Sequence, residues 1–250
     1  MRKFTTLAIL VMSFARLSAQ AGQSSSSSKS DEEKQYSIPL IGSVAPTFTA
    51  ESTNGPIVFP DDFGKSWKIL LSHPQDFTPV CSSEIMELAN HQEEFDEIGA
   101  KLIVLSSDAL SSHQDWKNAL EELNYKGKPI EKIRFPMVDD ETRNASKLYG
   151  MMHPLSNSTR DVRGVFVLDP DNIVQAIYFY PMGVGRSTDE LLRLVKALQA
   201  THSGNMLAPA NWQQGNDLLV RVPPSVTETR SQIENDGFYQ LAWFMWYKKR

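Results

Sequence analysis

The chain predicts an α/β fold in which helices cover a central mixed sheet. Three observations carry this expectation. Short apolar runs such as Trp67–Ser72 and Lys101–Ser106 read as buried strands. Longer segments between them place apolar residues near the helical period. Two further strands then meet at a polar turn, and a capped helix follows.

Each element has its own signal. Trp67–Ser72 (WKILLS) ends at His73-Pro74. From Pro79 a helix presents Ile85, Leu88, Phe95 and Ile98 on one side, and Gly99 closes it. Lys101–Ser106 is a second buried strand and Ser111–Leu123 a second helix. Phe135–Val138 is a brief strand before Asp139-Asp140, and Ala145–Tyr149 a short helix ended by Gly150. Val165–Leu168 and Ile173–Tyr180 are strands joined through Asp169-Pro170-Asp171-Asn172, a hairpin turn. Ser187 caps a helix through Gln199, Glu190 completes a capping box, and Leu191, Leu194, Val195 and Leu198 form the buried stripe. This order fits a thioredoxin-like layout.

That domain is expected over residues 39–199. Residues 200–250, with Pro209, Pro223 and Pro224, read as a mostly irregular C-terminal arm or small subdomain. Its aromatic end, Trp243 to Tyr247, is expected to pack against the body or a second subunit. Residues 22–38, which include Ser24 to Ser28, lack apolar side chains enough to bury and read as a disordered linker. Residues 1–21 look like an address: Arg2 and Lys3, an apolar run from Phe4 to Phe14, then Ala19-Gln20-Ala21 as a cleavage site. The run is far shorter than the ~20 residues that span a bilayer, so no integral membrane segment is expected. A secretory signal peptide is the first reading, implying a secreted or secretory-pathway protein. The rival is a mitochondrial or plastid transit peptide, since no acidic residue precedes Asp31 and Arg16 interrupts the apolar stretch.

A net charge of −5 and no cluster of Lys and Arg argue against nucleic acid or an anionic membrane as partner. One cysteine excludes an intramolecular disulfide and a cysteine-rich metal site. His73, His91, His113, His153 and His202 show no i, i+4 pair, so neither metal nor cofactor is expected. Asn144-Ala145-Ser146 and Asn157-Ser158-Thr159 are glycosylation sequons that matter only in a secreted chain.

The single cysteine, Cys81, falls in the first turn of the helix that starts at Pro79. Unpaired N–H groups and the positive end of the helix dipole favour a thiolate there, and the thiolate is the nucleophile. Thr78 precedes it, and Ser82, Ser83 and Glu84 follow. From position alone two readings stand: a reactive thiol, or a small buried hydrophobe.

The longer string Ser72-His73-Pro74-Gln75-Asp76-Phe77-Thr78-Pro79-Val80-Cys81 contains Pro74-x-x-x-Thr78-x-x-Cys81 and resembles the active-site motif of the peroxiredoxins. Arg163 to Asp169 (RGVFVLD) and Pro181-x-Gly183-x-Gly185-Arg186-Ser187 extend the resemblance, which runs from about Ile41 into the C-terminal arm. It implies an elaborated thioredoxin fold and a thiol peroxidase that reduces hydrogen peroxide and organic hydroperoxides. Cys81 would be the peroxidatic cysteine, whose thiolate attacks peroxide and becomes a sulfenic acid. Thr78 would offer its hydroxyl to the thiolate and bound peroxide, and Pro74 would shield the site. Arg163 would set a positive charge beside the sulfur. Glu84 would orient arginines, with Arg186 a second member of that network. His73 is found in the one-cysteine subgroup, either near the thiol or as a structural histidine.

The resolving cysteine of two-cysteine relatives lies in a V-C-P-A-x-W string, which here reads Leu207-Ala208-Pro209-Ala210-Asn211-Trp212. The resemblance therefore implies a one-cysteine mechanism recycled by an external thiol, glutathione or a thiol protein. A lipase activity described for mammalian members of the subgroup is not expected. Gly64-Lys65-Ser66-Trp67-Lys68 keeps the serine but not the second glycine, Pro60 stands at the histidine position, and only Asp171 matches. Ile173–Tyr180 resembles the strand through which family dimers pair, so a homodimer is expected. The other class of function is a peroxide sensor or holdase chaperone without substantial turnover.

Overall fold

The computed structural model describes residues 38–157, 159–224 and 230–250. The expected leader and all of the expected linker except its last residue lie outside the described residues.

The chain opens with a hairpin, β1 (Phe48–Ala50) and β2 (Ile57–Phe59), absent from the sequence reading. Next come β3 (Trp67–Ser72), α1 (Pro79–Glu97), β4 (Ala100–Ser106) and α2 (Leu110–Glu121). A two-residue ladder, β5 (Asn124–Tyr125) and β6 (Lys128–Pro129), precedes β7 (Met137–Asp139) and α3 (Asn144–Leu148). The body ends with β8 (Arg163–Leu168), β9 (Val174–Tyr180) and α4 (Thr188–Thr201). The expected α/β thioredoxin-like architecture is present.

The central sheet has the order β7-β4-β3-β8-β9. It is mixed: β3 pairs parallel with β4, and antiparallel with β8. Its middle strands carry apolar runs at Ile69–Leu71, Leu102–Leu105 and Val165–Leu168 because both faces are covered. Ile69 and Leu71 face one core cluster while Leu70 faces the other, and Val104 and Leu105, or Val165 and Phe166, divide likewise. This alternation is the two-residue period of the pleat.

Helix α1 buries Ile85, Leu88 and Phe95 as expected, and Gly99 ends the turn with φ +65, a backbone state open to glycine. Helix α4 departs from expectation at two points. Ser187 Oγ accepts the Glu190 N–H at 3.2 Å, but the Glu190 carboxylate turns to Arg193, at 2.6 and 2.8 Å, so only half of the capping box forms. Leu192 joins Leu191 and Val195 in the core, while Leu194 and Leu198 are only partly buried.

The C-terminal segment is more regular than its prolines suggested. Strands β10 (Met206–Leu207), β11 (Leu218–Val220), β12 (Phe238–Ala242) and β13 (Met245–Lys248) form an antiparallel sheet of order β10-β11-β13-β12, with helix α5 (Arg230–Asn235) before β12. The prolines sit in its connections, where no ladder hydrogen bond is needed. Trp212 and Leu218 pack with Ala197 of α4. The aromatic end splits: Tyr247 stacks on Tyr239 at 5.2 Å, whereas Trp243 and Phe244, at the tip of the β12–β13 hairpin, are 84% and 70% exposed. Packing of that tip on the body, one of the two expectations, does not occur.

Candidate active site

The topology sets the site. Strand β3 delivers the loop 73–78 and then α1, and β8 runs antiparallel beside β3, so the first residue of β8 starts where β3 ends. Cys81 is the third residue of α1 and 0% exposed. Arg163 opens β8, and its Nη1 donates to Cys81 Sγ at 3.3 Å and to Glu84 Oε2 at 2.7 Å. Its Nε and Nη2 donate to the Met182 carbonyl at 3.0 and 2.8 Å. Four contacts from one planar group leave the guanidinium little freedom to turn away from the sulfur.

Glu84 lies one helical turn beyond Cys81 and is buried. Arg186 donates to it from its backbone N, Nε and Nη2, at 2.7, 2.8 and 2.7 Å. Arg186 Nη1 also donates to the carbonyls of Ser72 and Gly164, both at 2.8 Å. Burial alone raises a carboxyl's pKa, but the charges and hydrogen bonds of Arg186 and then Arg163 outweigh it and hold Glu84 below its ordinary range. The sulfur thus faces a positive group whose own charge is partly balanced from behind. Four expected residues, Cys81, Glu84, Arg163 and Arg186, are brought together by direct contacts.

The other three stand differently. Pro74 is buried on the loop before α1. Thr78 is the N-cap of α1, but its hydroxyl donates to the Gln75 carbonyl at 2.8 Å rather than to the sulfur. His73 is fully buried and its Nε2 lies 2.9 Å from Asp76 Oδ1, which favours the structural reading of this histidine. Burial lowers the His73 pKa, and Asp76 opposes that effect. The sequence spacing also hid a grouping: His73, Asp76 and His113 offer ligand atoms within 4.8 Å of one another. The Asp76 carboxylate is enclosed by side chains: it accepts from Ser112 Oγ at 2.8 Å and lies 2.9 Å from His73 Nε2 and 2.8 Å from His113 Nδ1.

Residues that the sequence did not single out serve the site through backbone groups or through distance in the chain. The Met182 and Ser72 carbonyls hold the arginines, and carbonyls carry no side-chain signature. Trp116 of α2 donates from Nε1 to Ser82 Oγ at 3.2 Å and lies 5.1 Å from the His73 ring, beside the first turn of α1. Around Ser66 the structure builds something else. Asp171 pairs with Lys65 at 2.6 Å, and Lys68 Nζ donates to the Gly64 carbonyl and Asn172 Oδ1, each at 2.6 Å.

Comparison with known proteins gives the family. Residues 41–177 match the AhpC/TSA family, and residues 197–235 match the C-terminal domain of 1-Cys peroxiredoxin. A peroxiredoxin of Methanosarcina mazei is 43% identical over 215 residues, covering 85% of this chain and 98% of its own. The structure of a yeast mitochondrial 1-Cys peroxiredoxin, described with its thiol-resolving mechanism via glutathione and thioredoxin systems, superposes with a TM-score of 0.73. It is 36% identical and covers 85% of this chain and 100% of that one. A peroxiredoxin 6 of Arenicola marina, with a cysteine-to-serine substitution, also gives 0.73, at 32% identity over 84% of this chain and 97% of that one. With one cysteine, seated at the start of α1 against an arginine, the chain belongs to the peroxiredoxins, thiol-dependent peroxidases, and to their one-cysteine type.

Proposed function

We propose that Cys81 is the peroxidatic residue and that the 3.3 Å contact from Arg163 is what activates it. The thiolate of Cys81 is the nucleophile, and its lone pair attacks one peroxide oxygen. The O–O bond breaks, and the departing oxygen takes up a proton and leaves as water or an alcohol. Arg163 offsets the negative charge that builds on that oxygen. Sulfur, oxidised by two electrons, becomes the sulfenic acid. Pro74 and Thr78 border the approach to the sulfur, and the Thr78 hydroxyl turns from Gln75 to the peroxide when it binds. With no other cysteine in the chain, an external thiol attacks the sulfenic sulfur and displaces water, and a second thiol releases the mixed disulfide. Glutathione or a thiol protein suits this role, in keeping with the systems described for the yeast relative.

Stopped-flow tryptophan fluorescence tests the reading, with Trp116 beside Ser82 as reporter. Mixing with hydrogen peroxide gives a second-order signal far faster than a free thiol reacts, and Cys81→Ser abolishes it. A rate no greater than that of a free thiol overturns the assignment. Consumption of many equivalents of peroxide per chain with excess glutathione separates an enzyme from a peroxide sensor.

Two further readings accompany it. Strand β9 is the outer strand of the sheet and its residues beyond Val174 are only partly buried, which supports pairing with a second copy as a homodimer. For the address at residues 1–21, the yeast mitochondrial relative supports the mitochondrial alternative over secretion. Fractionation of cells expressing the full chain decides this, and recovery of the protein in the medium overturns it.

A further inference from the structure

The loop between β3 and α1 contains a strained residue with no burial to hold it. Phe77 has φ +56, a left-handed state that a bulky side chain adopts at a cost, and the residue is 58% exposed. Such a conformation persists only where its neighbours over-determine it. On one side, Thr78 holds the N-cap position of α1 and its hydroxyl donates to the Gln75 carbonyl. On the other, Asp76 is anchored at both its backbone and its side chain. Its N–H donates to Asp108 Oδ2 at 2.8 Å, and Asp108 is held in turn by Arg160 Nη1 at 2.7 Å and Ser106 Oγ at 3.0 Å. Its carboxylate accepts from Ser112 Oγ at 2.8 Å and lies against His73 Nε2 at 2.9 Å and His113 Nδ1 at 2.8 Å. Ser112 and His113 belong to α2, and His113 Nε2 lies 3.0 Å from the Val138 carbonyl of β7. All three charged or ring-bearing members, His73, Asp76 and His113, are buried.

We propose that Asp76, gripped by Ser112 and His113, is a positioning residue of the peroxide step: it latches the loop that carries Pro74 and Thr78 onto α2 and so holds Cys81 in its closed, reactive seat. The proposal rests on the peroxidatic reading of Cys81 and adds to it. The latch touches neither the sulfur nor its arginine. It acts on the loop, and through the loop on which reagents reach the sulfur. A closed loop favours a small peroxide aligned with Arg163 and excludes a bulkier reagent, because Cys81 has no exposed surface. Loosening the latch therefore moves two rates in opposite directions, which a loss of thiolate does not, and it leaves the chain's unfolding midpoint near that of the wild type, which general destabilisation does not.

The test measures both rates on the full chain: peroxide reaction by stopped flow, and alkylation of Cys81 by iodoacetamide. Asp76→Asn keeps the shape and loses the anionic acceptor. It slows the peroxide reaction about tenfold or more, because small misplacements of a reacting group are costly, and it speeds alkylation. His113→Asn keeps a donor near the Nδ1 position and stays close to the wild type, whereas His113→Leu behaves as Asp76→Asn. Ser112→Ala removes one contact and gives a smaller shift in the same directions, so it decides the matter if Asp76→Asn does not fold. Unchanged rates in these variants overturn the latch. A joint fall of both rates also overturns it, since Asp76 would then act on the charge of the thiol. A wild-type protein that reacts with peroxide like a free thiol fails the peroxidatic reading instead, and is told apart by that control.

Discussion

Two buried carboxyl groups in this chain respond to their surroundings in opposite senses. Glu84 is buried but faces two guanidinium groups, and Asp161 is buried without a hydrogen-bond donor to either oxygen among the described residues. The Ser146 hydroxyl, one possible donor, is committed to Asp140 at 2.6 Å. Glu84→Gln leaves Arg163 and Arg186 short of their counter-charge. A loss of about 3 kcal/mol is expected in denaturant unfolding, together with slower reaction with peroxide. Arg163→Ala is expected to slow the peroxide step strongly while Cys81 remains titratable by a thiol reagent in denaturant. For Asp161, burial first, and then the charges of Asp140 and Asp108, push the pKa up to about 7, against the pull of the nearby Ser146 hydroxyl and of Arg143. Its folded state therefore holds a proton that the unfolded chain has lost. Its stabilising contribution is complete below the ordinary carboxylate range and disappears as pH rises through about 7. Asp161→Asn should flatten that fall in unfolding free energy between pH 5 and 8, and an unaltered slope would rule this group out. Glu84 has the reverse sign, because its lowered pKa gives stability that is present above the carboxylate range and lost in acid. The motif around Cys81 was legible because its members are neighbours in the chain. The contacts of Arg163 and Arg186 with Glu84 cross 79 and 102 residues, so they follow from the order of β3, α1 and β8 and not from local spacing.

Helix α4 shows how far a local signal reaches. Its start was readable because a serine hydroxyl caps a nearby N–H whatever packs around it. The second half of the capping box was not, because Glu190 found a stronger partner in Arg193, three residues along the helix. Ser187→Ala should cost about 1 kcal/mol in unfolding measurements, the usual worth of such a cap. Because Ser187 directly follows Arg186, slower peroxide reaction should accompany it only if fraying of α4 reaches that arginine. The long strands were legible for a different reason, since β3, β4 and β8 are covered on both faces and carry apolar runs at Ile69–Leu71, Leu102–Leu105 and Val165–Leu168. Strands β1, β2 and β10 to β13 are only two to five residues long, too short to display a two-residue period in the sequence. Cross-strand partners define them, from a neighbouring hairpin strand for β1 with β2 and β12 with β13, and from farther along the chain for β10 and β11.

At the scale of the whole molecule, the central sheet is closed on one side and open on the other. At the start of β9, Gly42 N donates to the Val174 carbonyl and Val174 N to the Ser43 carbonyl, so the chain's own N-terminal segment covers that end. Beyond it, Gln175 to Tyr180 line the outer edge with partly buried side chains, and the aromatic tip of the β12–β13 hairpin is exposed elsewhere on the surface. An uncovered edge strand carries unpaired backbone groups that invite another strand. In a two-fold dimer the same strand meets its own copy, so one substitution is felt twice. Tyr178 is half-buried against the core cluster that includes Val165 and Leu191, and it lies within that edge. Placing a glutamate there puts like charges near each other across the proposed axis. Light scattering after size exclusion should give twice the mass of one chain for the wild type and a single-chain mass for Tyr178→Glu, with far-UV circular dichroism unchanged. A folded variant that keeps the wild-type mass would take β9 out of the interface. The exposed Trp243 and Phe244 would then be the next surface to substitute.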